Sequence, residues 1–156
     1  MSSVEAKCVE IASRLREISA AGRENWVREF ESGLTELGEL GDPNCIPLLL
    51  ELLDDRSAYD EVMFAIIHAV ERFADAPYVA HLIGQTLRLT HRAPRWLGVL
   101  YMRVLNADSA REKLAKQLRH ASSEDRRAVL DVVDGIAARR PEFSPKLIAI
   151  RTAAMF

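Results

Sequence analysis

The chain lacks most of the short signatures that announce chemistry. It has no glycine-rich phosphate loop and no Gly-x-Ser-x-Gly elbow, and neither cysteine has a nearby base with an orienting acid, so nothing asks for an enzyme. No apolar run approaches the ~20 residues of a membrane span, and the N-terminus lacks the basic-then-apolar order of a secretory signal, which predicts a soluble, cytoplasmic protein. Cys8 and Cys45 are too few and too far apart for a thiol metal motif. Each lies among apolar residues of a predicted helix, so both are expected as buried free thiols. No convincing strand pattern occurs, and no cofactor motif is present.

What remains is helical periodicity in a chain of 156 residues, 49% of them hydrophobic, enough for one domain over 1–156 with its own core. Ser2 and Glu5 have capping-box spacing, and Val4, Cys8, Ile11, Leu15 and Ile18 draw one apolar stripe that Gly22 should end. Trp26, Val27, Phe30, Leu34, Leu37 and Leu40 mark a second helix closed by Gly41, with Gly33 and Gly38 as soft points. Asp42 with Pro43 opens a third, running to about Asp54, and Ser57 with Asp60 opens a fourth. Further starts fall at Asp75 and Pro94, at Ser109 with Glu112, and at Ser122 with Asp125. Pro141 and Pro145 then reset the chain for a short helix around 147–150.

A shift of 33 residues superposes Ile46, Leu49 and Leu50 on Val79, Leu82 and Ile83, and Met63, Ile66 and Ile67 on Trp96, Val99 and Leu100. Two helix pairs therefore share one apolar template, degenerate where Val70 meets Arg103. The predicted fold is all-α, a HEAT-like helical-repeat stack of eight or nine short helices.

Charge is divided along the chain. Residues 1–75 carry 16 Asp and Glu against seven Lys and Arg, whereas residues 76–156 carry seven against 14. The acidic half favours a cationic partner and repels phosphates. Its densest point is the corner Asp54, Asp55, Tyr59, Asp60 and Glu61. Glu36, Glu39 and Glu51 extend this patch if the second and third helices turn their polar faces the same way. The ordinary alternative for such residues is a solvated helix face.

The run LLDDRSAYDEVMFAIIHAVERF (52–73) followed by APRWLGVLYMRVLNADSAREKL (93–114) resembles immunity protein family 30, encoded beside bacterial polymorphic and contact-dependent toxins. The likeness extends from about Gly41 to Leu118. It rests on the acidic turn before Tyr59, the His68 and Glu71 pair, the Arg95 and Trp96 pair, and the 103–106 stretch. The resemblance implies a cytoplasmic, non-catalytic antidote, a monomer before binding, that blocks the C-terminal domain of one cognate toxin. The acidic corner then suits a toxin with a basic active-site cleft, such as a nuclease, with Tyr59 as an aromatic anchor.

Other constellations point elsewhere. His68 and Glu71 lie three apart on one helix, but a bundle metal site needs a second such pair, and His81, His91 and His120 have no ligand spacing. His68 is therefore expected partly buried, bonded to Glu71 or to a neighbouring helix, and no metal is predicted. Trp96 reads as a core residue with Arg95 snorkelling beside it, and Asn106 as a helix terminator. A rival function is nucleic-acid association through Arg88, Arg92, Arg95, Arg103, Arg111, Lys113, Lys116 and Arg119, opposed by the slightly acidic total charge. An enzyme built around His68 and Glu71 ranks third.

Overall fold

Apolar stripes at helical spacing have to be buried, and in this protein they are buried helix against helix. The structure, a computed structural model, describes residues 2–155, and among these every regular element is helical. The elements divide into two compact units, Met1–Ala74 and Asp75–Phe156. The first carries 15 carboxylates against seven Lys and Arg, the second eight against 14, so each unit has its own sign of charge.

The first unit contains α1 (Ser3–Ala21), α2 (Trp26–Leu40), α3 (Cys45–Leu50) and α4 (Asp60–Glu71). Its helix ends follow the predicted chemistry in part. Ser2 and Glu5 form the reciprocal capping box, and Gly22 and Gly41 end α1 and α2 in the left-handed conformation. Helix α3 is shorter than the sequence suggests. It begins at Cys45, after a turn in which Asp42 Oδ1 accepts from Asn44 N, and past Leu50 the chain tightens into bonds from Leu52 N and Leu53 N to the carbonyls of Leu49 and Leu50. Pro47 is tolerated because it sits in the first turn, where its missing N–H would have had no intrahelical acceptor.

Helix α1 packs on α2 and α3, and α4 packs on α2 and α3. Asn44 Nδ2 donates to Glu5 Oε1 (2.8 Å), tying the start of α3 to the start of α1. Trp26 meets Tyr59 at the starts of α2 and α4, while Gly38 faces Arg72 at their ends, so these two helices run side by side in one direction. Leu15, Phe30, Leu37, Ile46, Leu49, Ile66 and Ile67 are buried between them. At Gly33 the two helices come close: a Cβ there would lie 2.4 Å from Leu15 Cδ2 of α1. The residue that costs helix propensity is thus a contact requirement.

The cysteines correct the sequence reading. Cys8 and Cys45 are buried, but they are joined in a disulfide, with Cα atoms 5.5 Å apart. The physical reason is the α1–α3 contact, which brings together residues separated by 37 positions.

The second unit contains α5 (Asp75–Arg92), α6 (Pro94–Asn106), α7 (Asp108–Leu118), α8 (Ser123–Arg139), a 3-10 segment (Pro141–Leu147) and α9 (Ile148–Ala154). Helix α5 packs on α6, α7 and α8. Ser122 accepts from Asp125 N and caps α8 as predicted. Ser109 does not cap α7: the helix already begins at Asp108, and the Ser109 hydroxyl donates to Asp75 Oδ2 (2.6 Å). Trp96, Leu97, Leu100, Tyr101 and Leu105 put most of α6 into the core. Thr86, fully buried, donates to Leu82 O (2.7 Å) and lies 2.6 Å from Tyr101 Oη. Since the Thr86 hydrogen is committed to a carbonyl, Tyr101 is the donor in that second bond.

Candidate functional site: an acidic corner with an aromatic edge

The corner is built by the loop from 51 to 59 and the first turn of α4. Asp54 is half-buried and closes the loop on itself: its carboxylate accepts from Arg56 N (2.9 Å), Nε (3.2 Å) and Nη2 (3.0 Å), and the Asp54 amide reaches Met63 Sδ (3.5 Å). The hydrogen bond first, and the charge second, hold the Arg56 guanidinium above its ordinary pKa. Part of the corner's negative charge is therefore met by its own Arg56. Ser57 does not cap α4. Its Oγ accepts from Tyr59 N (3.1 Å), and the helix starts after Tyr59, whose carbonyl receives the amides of Val62 and Met63. The pairing expected between Ser57 and Asp60 fails because Ser57 lies two residues before the true N-cap, Tyr59.

Asp60 and Glu61 occupy that first turn and are exposed, complementing the positive end of the α4 dipole. Tyr59 is 44% exposed, and its ring stands edge-on to Trp26, centroids 4.9 Å apart. Trp26 in turn meets Phe30 at 6.1 Å. Asn25, in the left-handed conformation, turns the chain into α2 so that Trp26 becomes its first residue. The result is an aromatic edge on an acidic surface, with Glu29 in the first turn of α2.

The eight acidic and aromatic residues singled out in the sequence lie on α2, on the 51–59 loop and on the first turn of α4. Asp54, Asp55, Tyr59, Asp60 and Glu61 share the corner, with half-buried Glu51 at the end of α3 leading into it. Glu36 is paired with Arg14 of α1, and Glu36 and Glu39 border a groove of about 340 Å³ with Lys7, Ile11 and Arg14. Glu36 also lies ten positions beyond Trp26, ~15 Å along α2. Trp26 was hidden in the sequence among the apolar positions of the second helix. The signal for it is the 33-residue shift itself, which, carried one step earlier, sets Trp26 on Tyr59.

Elsewhere His68 is exposed, with its ring 6.4 Å from Phe64, which corrects the expectation of a partly buried residue. It projects from the solvent face of α4 because Ile66, Ile67, Ala69 and Val70 take the buried face. No group of three or more His, Cys, Asp or Glu is gathered as for a metal ion among the described residues. Trp96 is buried with the Arg95 guanidinium 4.7 Å above its ring. Of the basic residues in the second unit, Arg111 is held by Asp108 (2.9 Å) and by Leu105 O (2.6 Å), and burial lowers the pKa of His81. Asn106 is the last residue of α6, and its Oδ1 accepts from Lys146 Nζ (2.6 Å).

The family profile described as Immunity protein 30 matches residues 17–114, from within α1 to within α7. The chain belongs to the immunity protein 30 family. The match takes in the whole acidic corner and reaches further toward the N-terminus than the 41–118 stretch that carries the sequence likeness. Membership implies a partner toxin, and places the chain among proteins that are in general non-enzymatic inhibitors. No curated protein and no solved structure matches the chain. No described helix is long and apolar enough to cross a membrane.

Proposed function

We propose that this immunity protein 30 chain is a cytoplasmic antidote that binds the C-terminal domain of one cognate toxin of a polymorphic or contact-dependent system and blocks it through the corner of its first unit. The carrying observation is the coincidence, inside the family match, of exposed Asp60 and Glu61 with the Trp26 and Tyr59 edge. Two rings already fixed against each other offer apolar area at little entropic cost, and the surrounding carboxylates steer a basic partner and set its register. A toxin with a basic cleft, as nucleases have, is the matching chemistry. Glu36 and Glu39 are a secondary contact of this surface.

We also read the whole chain as one domain of HEAT-like stacked helix pairs and as a monomer before toxin binding. Support for the stacking comes from α1 lying by α3 and α2 running parallel to α4, together with the repeat in which Phe30, Met63 and Trp96 follow one another at 33-residue spacing and are all buried. In a reducing cytosol the Cys8 and Cys45 sulfurs would be adjacent thiols. They lie away from the corner, since Cys45 starts α3 and the corner follows its end.

Co-expression with the toxin gene next to it tests the proposal. Growth should be rescued by the natural chain, and Glu61→Lys should lose rescue while the circular dichroism melt is unchanged. Rescue retained by the reversed chain defeats the proposed surface.

A further inference from the structure

The second unit has a cleft of about 590 Å³ between the first turns of α6 and the end of α8, within the size range of small-ligand sites. Pro94, Val99, Met102 and Ile136 supply apolar walls, and Arg95, Arg139 and Arg140 line the cleft as well. No carboxylate lines it, and among the described residues none pairs with Arg139 or Arg140. Arg139 and Arg140 also suit the negative end of the α8 dipole, but that role requires no cleft beside them.

Gly98 carries the argument further. It is buried, yet a Cβ placed on it would meet no atom within 4 Å, so its bare side opens on the cleft that it lines. Val99 tells the same story from the repeat. Its counterpart Ile66 is fully buried in the first unit, while Val99 is only half-buried and lines the cleft wall.

We propose that this cleft binds a nucleoside phosphate, with the phosphate at Arg139 and Arg140 and the base against Val99, Met102 and Ile136. The Arg139 and Arg140 guanidinium groups together exceed what one carboxylate satisfies, whereas a phosphate presents several acceptor oxygens to planar forked donors and carries more charge. The apolar walls next to them call for a flat, poorly hydrated body attached to that anion. The phosphate is carried either by a free nucleotide or by the end of a short strand.

The test is calorimetric titration of the full chain at about 50 mM salt, where phosphate contacts are strong. Adenosine 5′-monophosphate should bind one to one, with adenosine and inorganic phosphate each weaker by about tenfold or more. Gly98→Leu should fill the cleft and abolish binding at an unchanged melting temperature. Should that variant misfold, Arg139→Gln with Arg140→Gln must weaken binding by at least about tenfold. A 5′-phosphorylated trinucleotide that binds as tightly as the mononucleotide identifies a strand end as the source, and much weaker binding identifies the free nucleotide. Absence of mononucleotide binding, or binding that survives both sets of substitutions, overturns the proposal.

Discussion

The Thr86–Tyr101 pair yields a prediction whose sign depends on hydrogen-bond direction alone. Both side chains are fully buried, Tyr101 donates to Thr86, and Thr86 donates to Leu82 O. Tyr101→Phe removes one bond but leaves the Thr86 hydroxyl its carbonyl, so the expected cost is about 1 kcal/mol. Thr86→Val strands a phenol hydroxyl in an apolar interior, and the cost rises to about 2–3 kcal/mol, the desolvation penalty of an unpaired group plus the lost bond. Adding Tyr101→Phe to the Thr86→Val chain then removes the stranded hydroxyl and should restore about 1 kcal/mol. Urea melts of the four chains followed by circular dichroism give the cycle. Strictly additive losses, or a Tyr101→Phe cost exceeding that of Thr86→Val, would refute the assigned direction.

The same phenol adds a pH signature. Burial raises its pKa well above the ordinary 10.0, so above that pH the unfolded chain releases a proton that the native chain retains. The sign is a loss of stability as pH rises beyond the unfolded value, at up to about 1.4 kcal/mol per pH unit from this group. The difference between the natural chain and Tyr101→Phe isolates it, because all other alkaline titrations are common to both.

Three other outcomes are expected. Gly33→Ala should destabilise by about 1–3 kcal/mol despite its better helix propensity, since Leu15 must leave its place; a stabilised chain in thermal melts would contradict the α1–α2 contact. Reducing the Cys8–Cys45 bond, which spans 37 positions, should lower stability by up to about 4 kcal/mol on loop-entropy grounds, read from urea midpoints with and without reductant. Trp26→Ala should weaken toxin binding by about 2 kcal/mol or more with little change in fold, as measured by titration, whereas Glu39→Ala should cost less than about 1 kcal/mol.

Helix existence was legible because caps and periodicity agree. Ser2 with Glu5, Gly22, Gly41 and Ser122 each satisfy helix-end groups by local bonds, and local bonds are what a sequence displays. Ser57 and Ser109 had the right spacing and failed for different reasons. Ser57 is used by Tyr59 N one residue earlier, and Ser109 is drawn away to Asp75, a partner 34 positions distant. The disulfide was illegible for the same cause, since only the packing of α1 on α3 brings its two sulfurs together.

The corner itself was half legible. The acidic run and Tyr59 stand together in the sequence, but the internal bonds from Arg56 to Asp54, the pairing of Glu36 with Arg14 and the contact of Trp26 with Tyr59 are tertiary. His68 shows the converse error. Its spacing from Glu71 suggested a buried link, and the helix phase puts it in solvent.

The most direct test of the antidote account is a pull-down with this chain as bait from its source strain, grown so that the neighbouring toxin gene is expressed, followed by mass spectrometry after a moderate salt wash. The account predicts recovery of the C-terminal domain of a large secreted protein, lost when Tyr59→Ala and Glu61→Lys are combined in the bait. Recovery of nucleic acid in its place, or of that domain undiminished by the two substitutions, would contradict it.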